Sequence, residues 1–98
     1  MTHEEKIKAR IVVSGRVQGV LYRRTAQQKA TELGITGWAH NTIDGRVEIE
    51  CEGFGENIEK FIEWCTQGPP LAKVENIEVE YRECRDEFSD FQAREFGF

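Results

Sequence analysis

Histidine, cysteine, positive charge and long apolar runs are all scarce in this sequence, and each shortage excludes something. His3 and His40 are the only histidines, so no histidine-based metal cluster can be assembled. Cys51, Cys65 and Cys84 are odd in number and their spacing fits no paired zinc-ligand pattern, so they read as buried thiols without a metal. No apolar stretch approaches the length of a membrane span, and Met1 to Ala9 mixes His, Glu and Lys without a signal-peptide core. A reduced, cytoplasmic protein with no membrane partner is expected. The formal net charge of -5 makes the molecule repel polyanions, so no nucleic-acid partner is expected. Gly15 is not followed by the Gly-Lys-Ser/Thr ending of a nucleotide P-loop, and no repeat, low-complexity tract or linker is present.

What is there suffices for one α/β domain over 1–98, with 1–6 expected as a flexible start: 98 residues, 39% of them hydrophobic. Ile7 to Ser14 is rich in β-branched residues and reads as a strand. Gly15 to Val20 is a loop bracketed by glycines, after which Tyr22, Ala26, Ala30 and Leu33 recur at helical spacing until Gly34. Ile35 to Asn41 and Arg46 to Glu52 form a hairpin around Ile43-Asp44-Gly45. In its second arm Val47, Ile49 and Cys51 alternate with Glu48, Glu50 and Glu52, predicting one covered sheet face and one solvent face. Ile58, Phe61, Ile62 and Cys65 mark a second helix ended by Gly68-Pro-Pro70; Ile77 to Arg82 alternates as a fourth strand, and Phe91 to Phe96 can add a short fifth.

The order β-α-β-β-α-β specifies an α+β, ferredoxin-like split βαβ sandwich: an antiparallel sheet with two helices on one face. Its first and second strands run parallel with the third between them, so the Gly15 loop and Asn41 emerge on one edge of the sheet.

Chemistry can be sought at that edge. A glycine-bracketed turn of Gly15, Arg16, Val17, Gln18, Gly19 and Val20 between a strand and a helix start presents unpartnered N–H groups where the helix dipole favours negative charge. Arg23 lies in the first helical turn, where its charge opposes that dipole unless an anion sits beside it. Asn41 ends its strand just before a turn, a place asparagine also takes for conformational reasons.

Together, Gly15-Arg-Val-Gln-Gly-Val-Leu-Tyr-Arg23 and Gly37-Trp-Ala-His-Asn-Thr-Ile-Asp-Gly-Arg-Val-Glu48 resemble the two signature segments of acylphosphatases. The resemblance runs over nearly the whole chain, including Asp90-Phe-Gln-Ala-Arg94. It implies a hydrolase for small-molecule acyl phosphates that releases inorganic phosphate. The loop amides and the arginine at Arg23 would hold the phosphoryl group, and the asparagine at Asn41 would orient water. Leu21 and Tyr22 depart from the family's usual cysteine or glycine and phenylalanine. No cofactor and no metal are expected, and the protein is expected to be monomeric. The alternatives are a non-catalytic acylphosphatase-like phosphate-binding module, and an RNA-binding domain of the same sandwich. The second is disfavoured by the carboxylates of Glu48, Glu50 and Glu52 where stacking aromatics belong.

Overall fold

Alternation along the first strand, β1 (Lys6–Arg16), points Ile7, Ala9, Ile11 and Val13 to one side, where all four are buried. The computed structural model describes residues 5–95. Of the start expected at 1–6, residues 1–4 lie outside the described residues, and Lys6 already belongs to β1. The remaining elements are α1 (Tyr22–Glu32), β2 (Thr36–Asn41), β3 (Val47–Phe54), α2 (Gly55–Gln67), β4 (Lys73–Glu83) and β5 (Phe91–Arg94). Among the described residues no helix is long and apolar enough to cross a membrane.

The sheet order is β4-β1-β3-β2-β5, with β3 between the parallel β1 and β2 as the sandwich topology requires. Tyr22, Ala26 and Ala30 of α1 and Ile58, Phe61 and Cys65 of α2 are buried at i, i+3 and i+4 type spacings against Ala9, Ile11, Val13, Ile49 and Cys51. Burying a side chain the size of Phe61 contributes about 1.5–3 kcal/mol, so this single layer dominates the stability. The short fifth strand forms, but beside β2 and parallel to it, which makes the sheet mixed instead of wholly antiparallel. The expected end of that strand at Phe96 lies outside the described residues.

The sheet face expected to meet solvent is partly closed. β4 and β5 lie on opposite edges, and both helices occupy the apolar face, so the chain crosses from one edge to the other over the polar face. There Glu52, only 3% exposed, accepts hydrogen bonds from the backbone N–H of Arg85 (2.8 Å) and of Glu87 (2.9 Å). Lys8 is buried beneath the crossing, bonded to Glu87 at 2.7 Å and Glu50 at 3.0 Å, with its ammonium 5.4 Å from the Phe88 ring centre. Arg10 pairs diagonally with Glu48 at 2.6 Å. Glu48 and Glu50 of β3 are thus paired with cations of β1, and Glu52 is hydrogen-bonded by backbone amides of the crossing segment.

Candidate active site

The loop between β1 and α1 begins later than its glycines suggest. Gly15 and Arg16 still pair with Val74 and Lys73 of β4, beyond an irregularity at Ser14, leaving 17–21 as the turn proper. Gly15 sits at φ +119, and a Cβ there would stand 2.2 Å from the Lys73 carbonyl oxygen. Its lack of a side chain therefore serves the close approach of β4. Gly19, at φ +74, has nothing within 4 Å of a Cβ position and is free of such contacts. Val17 is fully buried and roots the turn in the core.

Helix α1 is preceded by its N-cap Leu21, itself left-handed at φ 65 and 65% exposed, with no side-chain cap and no acidic residue in the first turn. Among the described residues no side chain caps the first amides of α1, which is the condition for binding an anion there. Tyr22, the next residue, is buried, and its hydroxyl donates to the Cys65 carbonyl at 2.6 Å. That carbonyl would find its helical partner at residue 69, which is a proline without an N–H. The tyrosine supplies the missing donor and so fixes the start of α1 against the end of α2. Burial pushes the Tyr22 hydroxyl above its ordinary pKa, keeping it a donor.

Arg23 and Asn41 are brought together by β5. The Arg23 guanidinium donates through Nη1 to the carbonyl of Arg94, and the Asn41 backbone N–H donates to the next carbonyl, Glu95, at 3.0 Å. Arg23 also lines a pocket of about 280 Å³ with Val17, Gly19, Leu21, Arg24 and Ala93. The Asn41 Oδ1 is buried and has no hydrogen-bond partner among the described residues, an unusual state for an amide oxygen. His40 beside it, within β2, stacks on Trp38 at 4.5 Å and lies 3.1 Å from Glu48.

Beyond Asn41 the hairpin is tightly closed. Thr42 N–H donates to the Arg46 carbonyl (2.8 Å), and Arg46 N–H donates to the Thr42 hydroxyl (2.9 Å). Arg46 bonds to Asp44 at 2.7 Å, and that guanidinium, helped by the Thr42 hydroxyl, holds the Asp44 carboxyl down at about 2. Gln18 reaches across from the turn, donating through Nε2 to the carbonyls of Thr42 (2.9 Å) and Arg46 (2.8 Å).

The sequence placed the glycine-bracketed turn, Arg23 and Asn41 on one edge, and they do share it. It did not single out the Gln18 side chain, the Arg94 and Glu95 carbonyls or the Tyr22 hydroxyl. Pro69, at the i+4 position to Cys65, was a readable signal for the last of these. The others depend on strand neighbours distant in sequence.

A family model described as Acylphosphatase matches residues 9–93. The acylphosphatase of Pelotomaculum thermopropionicum is 47% identical over 87 residues, spanning 89% of this chain and 95% of its own. Among solved structures, an acylphosphatase from Coxiella burnetii superposes with TM-score 0.87 at 38% identity, covering 96% of this chain and 100% of that one. The acylphosphatase from Bacillus subtilis gives 0.86 at 37% identity, covering 89% and 97%.

Proposed function

The chain belongs to the acylphosphatase family, and from that footing we propose that it hydrolyses acyl phosphates, without a metal ion, to a carboxylate and inorganic phosphate. The phosphoryl group is held by backbone amides of the Gly15–Val20 segment, chiefly the turn that starts at Val17, and by the guanidinium of Arg23. Charge-assisted and potentially bidentate contact from Arg23 offsets the cost of placing a cation at a helix N-terminus. The observation that carries the reading is the buried, unpartnered Oδ1 of Asn41. A buried amide oxygen left unpaired costs about 1–3 kcal/mol, and a side-chain movement that opens it to a water removes that cost. Such a water is the nucleophile.

The water donates one hydrogen to Oδ1, which aims its lone pair at phosphorus. As the new P–O bond forms, the bond from phosphorus to the acyl oxygen breaks and its electron pair leaves with the carboxylate. Both water protons end on the inorganic phosphate or pass from it to solvent. A carboxylate leaving group has a pKa of about 4.3, like a Glu side chain, and needs no general acid. The protein's task is to position the reactants and stabilise charge on the equatorial oxygens, which amides and one arginine can do.

Losing a transition-state donor such as Arg23 costs about 10²–10³ in kcat in comparable sites, and misplacing a nucleophile costs on the order of 10²-fold. Arg23→Ala and Asn41→Ala should each lose activity of that order toward acetyl phosphate, with an unchanged circular-dichroism melt, and wild-type activity should survive a chelator. Full activity in either variant refutes its assigned role. Chelator-sensitive turnover refutes the metal-free chemistry, and an inert wild-type protein points to a phosphate-binding module.

A further inference from the structure

We infer that Gln18 acts through its side chain as a positioning residue, setting the phosphate cradle at its working distance from Asn41. The inference rests on the site reading above. Among the described residues, the two hydrogen bonds from Gln18 Nε2 are the only ones linking the 17–21 turn to the 42–46 hairpin. Their acceptors are not arbitrary. Thr42 follows Asn41 directly, and Arg46 precedes Val47, the residue paired with Asn41 across β2 and β3. Since Thr42 N–H already donates to the Arg46 carbonyl, the Gln18 amide sits across the neck of the hairpin. It therefore ties the turn to both strands at the level of Asn41.

A primary amide suits this position because its two N–H groups diverge and can serve two carbonyls at once. A carboxylate of the same shape would set oxygen against oxygen, and a thioether would donate nothing. Each partner is otherwise independently held: the turn by buried Val17, the hairpin by its own Thr42 and Arg46 bonds. Losing the clamp leaves both standing but lets the gap between them vary. In-line attack tolerates little of this, since a misplacement of about 1 Å can cost on the order of 10²-fold in rate.

Gln18→Met, which keeps the length and the backbone N–H, is the test. The expected result is a fall in kcat of about 10- to 100-fold. Inhibition by inorganic phosphate should change by less than about threefold, because the amides and Arg23 remain. The loss should be largely absent in an Asn41→Ala background, where no oriented water is left to misalign. In Gln18→Glu, activity relative to wild type should climb as pH falls toward the carboxyl range, because the protonated acid regains one donor. Unchanged kcat in Gln18→Met, parallel loss of kcat and phosphate affinity, or full additivity with Asn41→Ala would each overturn the inference. An Asn41→Ala protein with full activity would instead remove the water site itself and the inference with it. Wild-type turnover lost in Asn41→Ala but kept in Gln18→Met sinks the clamp alone.

Discussion

Gly15 and Gly19 bracket the same loop, yet the structure assigns them different costs when a methyl group is added. At Gly15, φ is +119, a region that costs an alanine about 1–3 kcal/mol. Its Cβ would also stand 2.2 Å from the Lys73 carbonyl oxygen and 2.8 Å from the Glu75 nitrogen, both backbone atoms that cannot swing aside. Relief requires β4 to part from β1 around Val74, giving up ladder hydrogen bonds worth about 0.5–1.5 kcal/mol each. Together these put Gly15→Ala at roughly 3 kcal/mol, a large share of the 5–15 kcal/mol typical of a domain. At Gly19, φ is +74 and nothing lies within 4 Å, so only the left-handed conformation is penalised, by about 1–2 kcal/mol. In urea titrations, with a slope of about 1.5 kcal/mol per M, Gly15→Ala should lower the midpoint by about 2 M and Gly19→Ala by about 0.7–1.3 M. The Gly19 variant, whose residue lines the pocket, should also bind inorganic phosphate more weakly by calorimetry. Equal midpoint losses, or a larger loss at Gly19, would show that the approach of β4 is not what demands glycine at Gly15.

Tyr22→Phe leaves the Cys65 carbonyl buried without a donor, and a thermal melt should report a loss of about 1–3 kcal/mol; an unchanged melt would mean that water or a shift of α2 satisfies the group. Asp44 has its folded pKa lowered to about 2, so its pair with Arg46 stabilises fully above the unfolded value of 3.8 and fades as pH falls from there toward 2. Asp44→Asn should accordingly be less stable than wild type at pH 6, and the two should converge by pH 2; a constant difference contradicts the assignment. Cys51 is buried and its thiol is pushed up to about 12, and burial also raises Cys65; Cys84 is only partly buried, and although partial burial raises its thiol too, solvent can reach it. An aromatic disulfide reagent should titrate one thiol rapidly in the folded protein and three in urea; two fast thiols would place a second cysteine at the surface.

Much of this protein could be read locally. The alternation Val47-Ile49-Cys51, the helical stripe Ile58-Phe61-Cys65 and the breaks at Gly34 and Gly68-Pro69 depend on neighbours within a few residues, and those elements form close to where the pattern puts them. The place of β3 followed as well, because a split βαβ chain returns it between β1 and β2, whereas the parallel pairing of β5 with β2 did not. Arg23 and Asn41 were legible for the same reason: each ends or begins an element whose edge of the sheet is set by topology.

Tertiary structure alone decided what lies between distant segments. Gly15 looked like a loop glycine until β4 lay against it, and the acidic face of β3 looked solvated until residues 84–90 crossed it. The bonds from Arg23 to Arg94 and from Gln18 to Thr42 and Arg46 join residues far apart in sequence, so no periodicity or turn rule announces them. Local physics chose the elements and delivered the glycine-bracketed turn, the arginine and the asparagine to one edge. Their separation and orientation were left to backbone carbonyls that meet them only after the sheet has closed.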